Sequence, residues 1–250
     1  MIVIPAVDIR QGKCVRLSQG RADAQTVYSD DPAAMAAKWE GMGAARIHVV
    51  DLDGAFEKTP KNLGAIKKIL ETVKKPVQVG GGIRDLATME TYLDLGVSNI
   101  IIGTEAIRNP EMVKDACKRF PGKIIVGIDA KEGMVAVEGW TETTSVRAVD
   151  LARSFEDAGV AAINFTDIHR DGMQTGPNIE QTRAFAQAIS IPVVASGGVS
   201  TIKDIKAVKT LAKDGVVGVI TGRALYVGTL DLAEAVSEAM EGVDPDYNPF

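Results

Sequence analysis

Two aspartates stand at matching places in two related stretches. Asp8 lies in AVDIRQGKCV (6–15) and Asp129 in GIDAKEGMVA (127–136), 121 positions apart. A pair of carboxyl groups, one ionised and one protonated, can carry general acid–base chemistry with no cofactor. Glycines recur in the same way. PVQVGGGI (76–83) is echoed by PVVASGGV (192–199), so that Gly81 and Gly82 match Gly197 and Gly198. IIGTEA (101–106) is echoed by ITGRAL (220–225), so that Gly103–Thr104 matches Gly222–Arg223. Backbone N–H groups freed by glycine and the starts of helices hold phosphate well. Arg84, close behind the first glycine pair, and Arg223 add charge at each place. The pattern implies a ligand with a phosphate at either end and its reactive middle over the two carboxyl groups.

These residues need elements to position them. Eight short Val- and Ile-rich runs recur at even spacing: 2–7, 46–51, 76–80, 99–103, 123–129, 161–167, 192–196 and 215–222. Near-continuous apolar runs are the mark of strands buried on both faces of a parallel sheet. Eight segments with helical spacing alternate with them, several opening on a cap and proline such as Asp31-Pro32 and Asn109-Pro110. The count is that of an α/β fold, a (β/α)8 TIM barrel. No G-x-G-x-x-G turn follows the first strand, which disfavours a doubly wound sheet. The matched strand ends divide the single domain, 1–250, into half-barrels of about 1–120 and 121–240. In such a barrel the active site lies at the C-terminal ends of the strands, where all the residues named above fall. Strands one and five, which carry Asp8 and Asp129, face each other across the mouth. Asp51 and Asp167 also match, and either take part in the site or cap their loops.

Composition narrows the function class. A net charge of −5 over 250 residues argues against a nucleic-acid partner. Two cysteines, Cys14 and Cys117, suggest no disulfide framework. The start MIVIPAVDIR has no signal-peptide pattern, and no apolar run reaches the ~18 residues of a membrane span. A soluble cytoplasmic protein is expected. His48 and His169 are not spaced as metal ligands, so no metal and no cofactor is expected. His48 reads as a packed polar residue inside a strand, and His169 as a loop residue within possible reach of a ligand. Trp140, in EGWTE (138–142), either stacks on a flat ring of the ligand or packs under its own loop.

The motifs IPAVDIRQGKCVRL, VDLDGA, VQVGGGIR, GIDAKEG…EGW, FTDIHRDG…TGPN, ASGGV and GRAL together resemble the ProFAR isomerase family of histidine biosynthesis, from residue 2 to about 240. That resemblance implies a cofactor-free Amadori rearrangement of an aminoaldose carrying two phosphates, ProFAR, to the aminoketose PRFAR. It assigns Asp8 as general base and Asp129 as general acid, with Thr166 and Asp171 assisting and Asp171 the rival for the acid role. The acid must keep its proton near neutral pH, so a raised pKa is expected for Asp129. Gly176, in TGPN, is placed near the second phosphate, and Arg16 and Trp140 among the substrate-binding residues. A monomer acting on a small-molecule bisphosphate is implied. Met173-Gln174 departs from the family's usual Thr-Leu after RDG, which leaves that loop's ligand contacts open. The related cyclase subunit places a cysteine and a lysine where this chain has Ala6 and Arg16. A dual-substrate relative, which also isomerises phosphoribosylanthranilate, tends to read ELSGGIRDD where this chain has QVGGGIRDL. A non-catalytic binder of phosphorylated ligands would gain nothing from two central carboxylates.

Overall fold

Each apolar run forms a strand. In the computed structural model these are β1 (Ile2–Arg10), β2 (Ile47–Asp51), β3 (Val77–Gly80), β4 (Asn99–Ile102), β5 (Ile124–Lys131), β6 (Ala162–Asp167), β7 (Val193–Ser196) and β8 (Val216–Thr221). The structure describes every residue except 19, 20, 138, 141, 245, 246 and 248, and describes only the backbone at 18 and 21–23. All eight strands pair in parallel in chain order, and β8 returns to β1 with Ile2 opposite Gly218. The sheet is therefore a closed barrel with helices outside it. No helix among the described residues is long and apolar enough to cross a membrane.

The barrel follows from the period of two in a strand. From β1, Ile2, Ile4 and Ala6 point inward and meet Ile125, Ala162, Val194 and Ile220. Val3, Val7 and Ile9 point outward into a second core against helix residues such as Ile66, Met89 and Val113. Burying each large aliphatic side chain is worth roughly 1.5–3 kcal/mol. At the N-terminal end of the barrel, the Arg46 guanidinium stacks 4.5 Å from the Phe250 ring centroid and donates to Asn99 Oδ1 and the Phe250 carbonyl.

The expected caps form: Asp31 accepts from Ala33 N and Ala34 N at the start of Pro32–Gly41, and Asn109 accepts from Met112 N ahead of Pro110–Arg119. The fifth helix is shorter than its sequence suggests. Only Ala148–Arg153 is helical, because the β-branched run Glu142–Arg147 goes to a strand and residues 154–158 close by i→i+3 bonds.

Four further strands stand above the barrel as two hairpins, one continuing each of β1 and β5. Asp8 pairs with Val15 and Asp129 with Ala136, the same step across each hairpin. Both turn through two left-handed residues, Gln11-Gly12 and Glu132-Gly133. These hairpins wall the mouth and set the two aspartates at its edge.

Candidate active site

The strand ends open into one cavity of about 520 Å³, and Asp8, Arg16, Asp129, Trp140, Thr166 and Asp171 line it together. Gly81, Gly82, Arg84, Gly103 and Thr104 line one part of the same wall, and Gly197, Gly198, Gly222 and Arg223 another. The two principal carboxyl groups thus share one chamber.

Their surroundings differ. Asp8 Oδ2 lies 2.7 Å from Arg16 Nη1. Burial pushes its pKa up, the Arg16 guanidinium pulls it down, and the charge of Asp171 pushes it up again. Among the described residues, no cation acts on Asp129. Burial raises its pKa, hydrogen bonds from Trp140 and Thr166 oppose the rise, and Asp171 adds to it. Trp140 Nε1 donates to Asp129 Oδ2 at 2.8 Å. Asp171 is also raised by burial, against the pull of Arg16. Burial thus raises the pKa of all three carboxyl groups; the Arg16 guanidinium opposes the rise at Asp8 and Asp171, whereas at Asp129 only neutral hydrogen-bond donors oppose it.

Trp140 lines the cavity and does more than fill its loop: its indole N–H is bonded to the carboxyl group of Asp129, with its backbone in a left-handed conformation, φ 72. Its neighbours Glu138 and Thr141 in the EGWTE stretch lie outside the described residues. The arginines are also engaged. Arg84 Nη1 lies 3.5 Å from Glu105 Oε1, and Arg223 Nη1 donates to the Gly172 carbonyl at 2.5 Å. Arg16 sits under Gly222, where a Cβ would come within 2.4 Å of its guanidinium carbon. Its side chain orders Asp8 and Gly222 and also lines the cavity.

The glycine pairs have a packing reason as well as a ligand reason. A Cβ on Gly81 would lie 2.1 Å from the Asp51 carbonyl oxygen, and one on Gly197 would lie 2.6 Å from that of Asp167. Gly81→Ala should therefore destabilise the fold by at least about 2 kcal/mol, from left-handed strain plus backbone overlap. Denaturant unfolding measures it; an unchanged midpoint would show that the loop yields freely. Gly176 does not itself line the cavity but packs against Gly198, which does. Its N–H donates to the Gly198 carbonyl at 3.1 Å, and its own carbonyl fills the space where Gly198 would carry a side chain.

Asp51 and Asp167 are loop organisers. Asp51 accepts from Gly54 N, Lys61 N, Asn62 N and Asn62 Nδ2. Asp167 accepts from His169 N and Asn178 Nδ2. Asn62 and Asn178 are 116 positions apart, as are the two aspartates, so the repeat extends to a pair that the strand motifs alone did not reveal. His169 does not line the cavity; its Nε2 lies 3.9 Å from Glu132 Oε1. His48 is packed as expected, with Nδ1 2.9 Å from Gln78 Nε2, but it also reaches the cavity wall. Burial lowers its pKa to about 3, so it is neutral. Asn164, Ser196 and Glu105 line the cavity too, and lone polar residues inside strands gave no sequence signal for this. Gln174 closes one edge, donating to Thr229 Oγ1 at 2.9 Å.

Comparison with known proteins adds a chemical identity to this geometry. The family described as "Histidine biosynthesis protein" matches residues 2–231. A protein of Desulfosudis oleivorans is 63% identical over 242 residues, 97% of this chain and 96% of its own length. One of Pelobacter propionicus is 59% identical over 244 residues, 98% of this chain and 99% of its own. One of Geobacter sulfurreducens is 58% identical over 242 residues, 97% and 99% respectively. All three are named 1-(5-phosphoribosyl)-5-((5-phosphoribosylamino)methylideneamino)imidazole-4-carboxamide isomerase.

Proposed function

The chain belongs to the histidine biosynthesis protein family, and from that premise we propose that it performs the isomerisation its relatives are named for, ProFAR to PRFAR. The observation that carries the mechanism is the unequal pair in one cavity: Asp8 against Arg16, and Asp129 against Trp140 and Thr166 with no cation among the described residues.

The chemistry requires two proton transfers. Asp129 gives its proton to the ribose ring oxygen as the bond from that oxygen to C1 breaks, leaving a protonated Schiff base at C1 and nitrogen. Asp8 then takes the proton from C2, and the electron pair moves to form an enolamine. Return of that proton to C1 and loss of the C2 hydroxyl proton to the Asp129 carboxylate give the ketone at C2 and restore both carboxyl groups. Thr166 and Trp140 hold the Asp129 carboxyl in place. Asp171 is the weaker candidate for the acid, because Arg16 favours its ionised form. The glycine-ended segments at 81–82 with 103, and at 197–198 with 222, hold the two phosphates by their N–H groups, with Arg84 and Arg223 adding charge. We read the chain as one domain of two half-barrels, about 1–120 and 121–240, supported by hairpins and loop hydrogen bonds that recur between them. A bisphosphate does not cross membranes unaided, which supports a cytoplasmic location. A monomer suffices, since one chain supplies the whole cavity wall.

Assay of the purified protein with ProFAR and with phosphoribosylanthranilate tests the substrate assignment. Turnover of ProFAR alone is expected. Comparable turnover of both would make the enzyme dual-substrate, and turnover of neither would remove the activity. A second expectation concerns pH. Arg16 lowers the pKa of Asp8, so removing it raises that pKa and moves the acidic limb of kcat/KM to higher pH. Arg16→Met should move the limb clearly to higher pH, while Arg16→Lys moves it less. An unmoved limb would detach Asp8 from it.

A further inference from the structure

Asn164 is 4% exposed, lines the cavity, and finds no hydrogen-bond partner for either end of its amide among the described residues. The half-repeat explains how this arises. Asn164 matches His48, 116 positions earlier. Each sits opposite a small residue of the preceding strand: His48 faces Ala6, and Asn164 faces Gly127. On the other side, His48 is in register with Gln78, which bonds to its ring. Asn164 is in register with Val194, which offers no polar atom. One half of the barrel thus gives its inward histidine a partner, though Gln78 Oε1 itself finds none, and the other leaves both ends of an amide open to the chamber.

A buried amide with both a donor and an acceptor unmet is unfavourable unless something in the cavity meets them. Asn164 lies two residues before Thr166 on β6 and points to the same face, which puts it about 7 Å deeper along the strand. Thr166 is in register with Asp129. The amide therefore lies one layer beneath the proton-transfer level. We propose that Asn164 is a substrate-contacting residue that holds the hydroxyl groups of the sugar undergoing rearrangement. A hydroxyl both donates and accepts, and adjacent hydroxyls match the paired donor and acceptor of a carboxamide. The inference rests on the isomerase reading of this site. It adds a specificity contact on the floor of the chamber, distinct from the glycine walls.

Of these hydroxyls the one at C3 keeps its bonds throughout the reaction, so losing the contact to it weakens binding of ground and transition states alike. Asn164→Leu, nearly isosteric, should raise KM for ProFAR and lower kcat/KM about 10- to 100-fold with kcat little changed. It should also raise the melting temperature, because the unmet amide is gone. Asn164→Ala, which adds no bulk, should show the same kinetic change. The proposal is overturned if kcat/KM stays within about twofold of wild type in both variants. It is also overturned if Asn164→Leu lowers the melting temperature together with activity, which would mark the amide as a structural bond. If wild-type protein itself fails to turn over ProFAR, the isomerase reading falls first and this contact with it. Normal wild-type turnover beside unimpaired variants removes this contact alone.

Discussion

Asp8→Asn should lower kcat on ProFAR by about 10³- to 10⁴-fold, the range expected when a general base is removed, while leaving substrate affinity within a few-fold. The amide keeps the size of the carboxyl and can still face Arg16, but it cannot take the C2 proton. Arg16 retains the electrostatic company of Asp171, so the variant should fold. Calorimetric titration of ProFAR into the variant measures affinity where turnover is too slow to interfere. Unchanged binding with lost turnover separates an isomerase from a protein that only binds phosphorylated ligands. A kcat within tenfold of wild type would remove Asp8 from the base role.

Asp129→Asn has an effect of similar size on the rate and an opposite one on stability. Removing the acid should lower kcat by about 10²- to 10⁴-fold. The same substitution should raise the melting temperature at neutral pH. The sign follows from linkage: burial raises the folded pKa of Asp129 above its ordinary 3.8. The folded protein therefore binds this proton more tightly than the unfolded chain. Stability is lost as pH rises from the unfolded value through the folded one. Asparagine does not titrate and can still accept the Trp140 N–H. The variant should then exceed wild type above that window and converge with it near pH 3.8. Thermal melts across that range check this. Asp171→Asn provides the comparison for the acid role: it should cost much less in kcat than Asp129→Asn. The reverse order would transfer the role to Asp171.

The barrel was largely legible because its code is local. Val- and Ile-rich runs at regular spacing leave few alternatives, and each observed strand lies within a residue or two of its run, save that β1 and β5 run on into their hairpins. The hairpin strands were not legible. Arg21–Ser29 and Glu142–Arg147 are polar, and the latter is largely exposed, so no apolar period marks them. The Gln11-Gly12 and Glu132-Gly133 turns were the available signal, since two left-handed residues favour a two-residue hairpin. At the site, the repeated motifs located the aspartates and the glycines. Which groups tune them was hidden, because the Trp140 bond to Asp129 and the Arg16 contact with Asp8 depend on where each hairpin folds back. The glycine pairs illustrate the same limit. Sequence suggested room for a ligand, and coordinates add that the Asp51 and Asp167 carbonyls leave no room for a side chain.

The most direct test is a crystal structure of the Asp8→Asn variant with ProFAR bound. One phosphate should rest on the Gly81–Gly82 and Gly103 segment and the other on the Gly197–Gly198 and Gly222 segment. The C2 of the reacting sugar should lie beside residue 8 and the ring oxygen beside Asp129. Both phosphates on one side of the mouth, or a sugar out of reach of residues 8 and 129, would contradict the paired-carboxylate mechanism.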